Sequence, residues 1–132
     1  VIVVDASVLA PALADDDRDG DLARQRLRGE RLAAPALVDL EVVSTLRRAA
    51  RAGRVEQRRS QQAVKDLAAL PVHRAPHLAL LPRIWELRDN LTAYDAAYVA
   101  LAEALDTTLL TADAAFERAA GVRCKLELLK GQ

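Results

Sequence analysis

Sulfur and aromatic rings are scarce in this chain. Its 132 residues include one cysteine, no methionine, one tryptophan, one phenylalanine and two tyrosines. The single Cys124 cannot close an internal disulfide, which excludes a disulfide-stapled scaffold and fits a reducing, cytoplasmic compartment. No apolar run reaches membrane-spanning length and no basic–apolar leader opens the sequence, so no membrane association is expected. Net charge is missing too: 19 basic and 19 acidic side chains balance, and bulk electrostatics name no partner.

Several signatures of α/β chemistry are also absent. There is no G-x-G-x-x-G after the first apolar run, so a dinucleotide fold is unsupported. No G-x-x-x-x-G-K-[ST] offers a nucleotide phosphate loop, and no G-x-S-x-G elbow offers a hydrolase nucleophile. A phosphoacceptor receiver domain needs an acidic pair after strand one, an acceptor Asp after a central strand and a Lys near the last strand; only Asp5 fits. Lysine itself is rare, at Lys65, Lys125 and Lys130 against 16 arginines. That bias is read mainly as coding-genome composition, although the guanidinium fork suits phosphate.

What is present is a hydrophobic fraction of 52%, carried mostly by Ala, Leu and Val. At this length the expectation is one domain, 1–132, with a core of closely packed helices on a small sheet. Val1–Val4 reads as a buried parallel strand, with Asp5 delivered at its C-terminal end. A short helix is expected over Ser7–Ala14, with Ser7 as N-cap and Pro11 in the first turn. Asp15, Asp17, Asp19 and Gly20 match the opening of a calcium loop, but Arg26 stands where a bidentate glutamate is needed, so a solvated loop before a helix over Asp21–Arg28 is preferred.

Strands are then expected at Arg31–Pro35, Pro71–Arg74, Thr107–Thr111 and Val122–Leu126. Helices are expected from Pro35 to Ala52, Val55 to Leu70, His77 to Asn90, Leu91 to Leu105 and Ala114 to Ala120. On the first of these Leu40, Val42, Val43, Leu46 and Ala50 share an arc that should face the sheet, leaving Glu41 on the surface or on the rim of a cleft. His73 and His77 read as loop or surface residues. The alternation gives a three-layer α/β/α domain with a small parallel sheet flanked by helices.

Four acids stand out. Asp5 and Asp113 each follow an apolar strand, Asp95 sits in a helix that is apolar nearly all round, and Glu41 lies early on its helix. Each has a bland alternative: Asp113 as an N-cap, Asp95 as the acid of a capping box with Thr92, Glu41 as surface. Taken together they can converge on one crevice of a doubly wound sheet. Carboxylates about 5 Å apart repel by roughly 3 kcal/mol at an effective dielectric near 20. Such a cluster takes up protons or binds a hard divalent cation, Mg²⁺ or Mn²⁺, of the kind that activates water against a phosphodiester. Ser7 and Thr111, each two residues from an acid, are candidates to position waters. Arg47, Arg48, Arg51, Arg54, Arg58 and Arg59 stand against Glu56 alone, and the first three are candidate RNA-phosphate contacts; a solvated helix hairpin explains them as well.

The runs Val3–Ser7, Leu40-Glu41-Val42, Tyr94–Glu103 and Leu110-Thr111-Ala112-Asp113 resemble the PIN-domain family, specifically the VapC-type toxins of bacterial toxin–antitoxin pairs. The resemblance implies a PIN-like fold and a Mg²⁺- or Mn²⁺-dependent endoribonuclease, with Asp5, Glu41, Asp95 and Asp113 as its metal-binding acids. It also implies an RNA substrate, a homodimer, and a VapB-type antitoxin whose C-terminal segment crosses the active site. Some relatives carry a further acid just after the Thr-x-Asp motif; Ala115 and Phe116 occupy that stretch here, which puts a firmly held second metal in doubt. The alternatives are a housekeeping RNA-processing nuclease of the same fold and a catalytically silent PIN-like binding module.

Overall fold

The computed structural model describes residues 1–130. The described strands are β1 (Ile2–Val4), β2 (Leu32–Pro35), β3 (Val72–Ala75), β4 (Thr108–Thr111) and β5 (Lys125–Leu128). All neighbours in their sheet are parallel, in the order β3-β2-β1-β4-β5. β1 is central, and its three residues are buried on both faces, the state a parallel strand reaches when helices cover both sides.

Between β1 and β2 run α1 (Ala6–Ala14) and α2 (Arg18–Leu27); between β2 and β3 run α3 (Val38–Arg51) and α4 (Gln57–Ala69). A 3₁₀ turn at Leu78–Leu80, α5 (Leu81–Glu86) and α6 (Ala93–Ala104) lead to β4, and α7 (Ala115–Arg118) leads to β5. From β1 the chain steps outward through β2 to β3, then returns across the sheet to β4. Right-handed crossovers therefore put α1–α4 on one face and α5–α7 on the other. Packing follows: α1 lies against α2, α3 and α4, while α6 lies against β1, β2, β4 and α5. Connections leave the C-terminal ends of β1 and β4 in opposite directions, so the switch point of the sheet lies between these two strands. In open α/β sheets that crevice is where ligands bind.

The core is aliphatic, and among the described residues Tyr98 and Phe116 are its only large rings. Among the described residues no helix is long and apolar enough to cross a membrane.

Local details depart from the expectations. Helix α1 starts at Ala6 with Asp5 as N-cap, and Pro11 lies inside it; the Ser7 hydroxyl, expected to cap, turns back to Asp5 instead. Helix α2 begins at Arg18, so Asp19 and Gly20 are helical and not parts of a loop. Gly20 is buried, and a Cβ there would fall 1.8 Å from the Asp15 carbonyl oxygen, so α2 can approach the end of α1 only at a glycine. On α3 the buried row is Val38, Val42 and Leu46, at i, i+4, i+8. Leu40 is 72% exposed and Val43 40% exposed, and the buried row packs on α1 and α4 and not chiefly on the sheet as expected, a contact that takes a narrower stripe than the apolar residues alone suggest. His73 is part of β3, with its side chain exposed. The helix expected over 77–90 breaks into the 3₁₀ turn and short α5, with Pro82 at its start, and β5 falls three residues later than its expected start.

Candidate active site

Each of the four acids is brought to the switch point by a different element. Asp5 ends β1 and caps α1; Glu41 lies in the first turn of α3; Asp95 lies in the first turn of α6; Asp113 follows β4. Their charges form a connected set. Asp113 bears on Asp5 and on Asp95, and Glu41 bears on Asp95. No ion pair among the described residues involves any of the four.

Asp5 is the most deeply placed, with 7% of its surface exposed. Its Oδ1 accepts from Ser7 Oγ at 2.6 Å and its Oδ2 from Thr111 Oγ1 at 2.6 Å. Each hydroxyl also accepts a backbone amide: Ala112 N–H donates to Ser7 at 2.8 Å and Asp113 N–H to Thr111 at 3.0 Å. Both hydroxyl protons are thus committed to Asp5, and the 3.3 Å contact between Ser7 and Thr111 adds no hydrogen bond. The arrangement is a clamp tying the end of β1 to the turn after β4. Ser7 and Thr111, expected to hold waters, hold the carboxylate directly. Burial raises the Asp5 pKa to about 6 against the lowering effect of the Ser7 and Thr111 hydrogen bonds, with Asp113 adding to the rise.

Asp95 is half-buried. Thr92 Oγ1 accepts its amide at 3.1 Å and caps α6. This is one half of a capping box; among the described residues the Thr92 amide donates no hydrogen bond to the Asp95 carboxylate. The cap explains the Thr92 side chain and leaves the acid free to face the site. Burial, then Asp113 and Glu41, push its pKa upward. Asp113 is exposed, and its Oδ1 accepts Ala115 N–H at 2.9 Å in a short local turn. The N-cap of α7 is Ala114, with no side-chain cap hydrogen bond, so the capping alternative for Asp113 does not hold and its other oxygen is left open.

Glu41 is half-buried on the rim, and its Oε1 accepts the hydroxyl of Tyr98. Tyr98 is 1% exposed. Burial, the Glu41 hydrogen bond and the charges of Glu41, Asp5 and Asp95 hold its phenol far above the ordinary tyrosine pKa, so it remains a donor. Sequence reasoning gave Tyr98 no role. The signal was there: a buried tyrosine in an otherwise apolar helix needs a partner for its hydroxyl.

The donor set is all oxygen, which suits Mg²⁺ or Mn²⁺ over softer metals. Among the described residues no three acids, histidines or cysteines are drawn tightly enough around one point to enclose an ion. The acids form an open cluster, in keeping with a cation that keeps several waters and takes few carboxylates. Arg47, Arg48 and Arg51 are exposed along α3, carboxy-terminal to Glu41; Arg48 donates to Thr45 Oγ1 at 3.3 Å. A cavity of about 360 Å³ opens beside the clamp, lined by Ser7, Pro11, Asp19, Leu22, Ala112 and Leu128 among others.

Residues 2–122 match the model of the PIN domain family. Ribonuclease VapC9 of Mycobacterium tuberculosis is 43% identical over 129 residues, an alignment that covers 98% of either chain. Ribonuclease VapC1 of the same organism is 39% identical over 129 residues, covering 97% of each. The crystal structure of Mycobacterium tuberculosis VapC20, a sarcin-ricin loop cleaving toxin, superposes with a TM-score of 0.70 at 19% identity, covering 93% of this chain and 97% of that one. At that identity the likeness concerns the fold.

Proposed function

Since this chain belongs to the PIN-domain family, as a VapC-type ribonuclease toxin of a toxin–antitoxin system, we propose that it cuts RNA at the switch-point cluster with Asp5, Glu41, Asp95 and Asp113 holding Mg²⁺ or Mn²⁺. The observation that carries this reading is Asp5. A carboxylate buried at the end of the central strand, clamped by two hydroxyls, repelled by Asp113 and lacking a cationic partner is costly to the fold. A divalent cation removes that cost.

When bound, the ion would activate water and offset charge on the scissile phosphate. The protein's own share is geometric. Ser7 and Thr111 fix both oxygens of Asp5, the Thr92 cap orders the turn that carries Asp95, and the turn after β4 presents Asp113. Four fixed negative charges exclude the phosphate from the cluster until a cation is present. Arg47, Arg48 and Arg51 supply charge for the flanking phosphates. The partner that silences the enzyme is a VapB-type antitoxin, and the active form is a homodimer.

RNA cleavage by the purified protein with Mn²⁺, with and without chelator, tests the reading. The expected result is metal-dependent endonucleolytic cutting that falls about a hundredfold or more in Asp5→Asn and Asp95→Asn. Cutting at the wild-type rate by both variants would remove these acids from the mechanism.

A further inference from the structure

The four acids are not held equally. Asp5 has two hydroxyl donors and Asp113 has a backbone amide, while Asp95 is short and sits in a capped helical turn. Glu41 has the longest side chain of the set, stands on the rim, and feels the negative charge of Asp95 beside it. Left alone, a glutamate in that position gains both rotamer freedom and distance from its neighbours by swinging into solvent. One side-chain contact opposes this: the hydroxyl of Tyr98 on Oε1. Tyr98 is itself immobile, packed within the core at 1% exposure.

Tyr98 follows Asp95 by three residues on α6, so both project from neighbouring positions on one helix. We infer that Tyr98 is a positioning residue which holds Glu41 in the cluster through its buried hydroxyl, so that α6 sets the spacing of two acids: Asp95 directly, and Glu41 across the gap to α3. One oxygen of Glu41 is taken by the phenol and Oε2 is left for the cation or one of its waters. This rests on the reading of Glu41 as a member of the metal site. The alternative is a tyrosine that only fills the core and satisfies its hydroxyl on the nearest acceptor.

Tyr98→Phe keeps the ring and removes only the hydroxyl. Titration calorimetry with Mn²⁺ alone should show affinity weakened about tenfold, as for other outer partners of metal ligands. Glu41→Gln should lose at least as much, and the double variant no more than Glu41→Gln alone. In cleavage assays the half-saturating Mn²⁺ concentration of Tyr98→Phe should rise to match, with KM for RNA unchanged. The chain has only two tyrosines, so ring-labelled tyrosine gives two NMR signals. Mg²⁺ should shift the buried one in the wild type and fail to do so in Glu41→Gln.

If Tyr98→Phe binds Mn²⁺ like the wild type while Glu41→Gln is weakened, Tyr98 is a core residue and the inference is overturned. Additive losses in the double variant overturn it as well. If neither single variant is weakened, Glu41 is no ligand, and the active-site reading fails at that residue along with the inference. Should Tyr98→Phe fail to fold, the NMR comparison decides: a buried tyrosine signal unmoved by Mg²⁺ in the wild type counts against the inference.

Discussion

Asp5 concentrates the conflict between stability and function in one side chain. Its pKa stands at about 6 in the folded protein against an ordinary 3.8, so the folded state binds this proton more tightly than the unfolded chain does. Below about pH 4 both states are protonated and the group costs nothing. As pH rises through the window from about 4 to 6 the unfolded chain ionises first, and stability is lost by about 3 kcal/mol in the metal-free protein. Denaturant titrations of metal-free protein should therefore show stability falling as pH rises from about 4 to 6. Asp5→Asn should flatten that dependence and raise metal-free stability near neutral pH by about 1–3 kcal/mol, while abolishing cleavage. Metal affinity has the opposite trend: protons compete for Asp5, so Mn²⁺ binding should weaken as pH falls below about 6.

At the scale of elements, stability depends on how α6 begins and on how closely α2 meets α1. Thr92 is exposed and its one described role is to cap α6 at the Asp95 amide. Thr92→Ala should cost about 1 kcal/mol, read as a fall of about 3–5 °C in Tm, and Thr92→Ser should restore it. The helix is otherwise anchored by its buried run Ala96–Ala102, so cleavage at saturating metal should survive the loss of the cap. Gly20→Ala is the more severe change. Its Cβ would meet backbone, the Asp15 carbonyl at 1.8 Å, which no rotamer can relieve. Chemical denaturation should register a loss of about 1–3 kcal/mol or more.

The extent to which elements could be read from the chain follows the same division. β1, β4 and α6 were legible because burial on all sides leaves an uninterrupted apolar run, and the acids at their ends interrupt it. The face of α3 was not. Leu40 and Val43 are apolar but exposed, and periodicity cannot separate a helix that faces the sheet from one that shows extra apolar residues to solvent. The short α5 and the late start of β5 were likewise hidden: α5 packs on α6 with Ile84 as its one buried residue, β5 is an edge strand, and partial burial leaves the pattern weak.

At the scale of the whole molecule, a chain with no net charge must attract a polyanion locally. The stretch from Arg47 to Arg59 is the one strongly basic segment, and Arg47, Arg48 and Arg51 are exposed on α3, the helix that bears Glu41. If these three contact RNA phosphates, replacing all of them with alanine should lower the slope of log affinity against log salt by about 2, at about 0.7 per single-strand phosphate. Filter binding with catalytically inactive Asp5→Asn protein measures this without cleavage. An unchanged slope would place the RNA track elsewhere on the surface.

The sequence by itself determined the parallel sheet, the acids at the ends of β1 and β4, and the acid in a buried helix, because these follow from local periodicity and from the cost of an apolar run ending in charge. Tertiary structure alone decided who holds whom. Thr111 reaches Asp5 across 106 residues and Tyr98 reaches Glu41 across 57. Such contacts depend on strand order and helix packing, which no local pattern encodes. Asp5 was visible from the first line of the chain; its clamp, its raised pKa and the phenol that steadies Glu41 exist only once the sheet has closed around them.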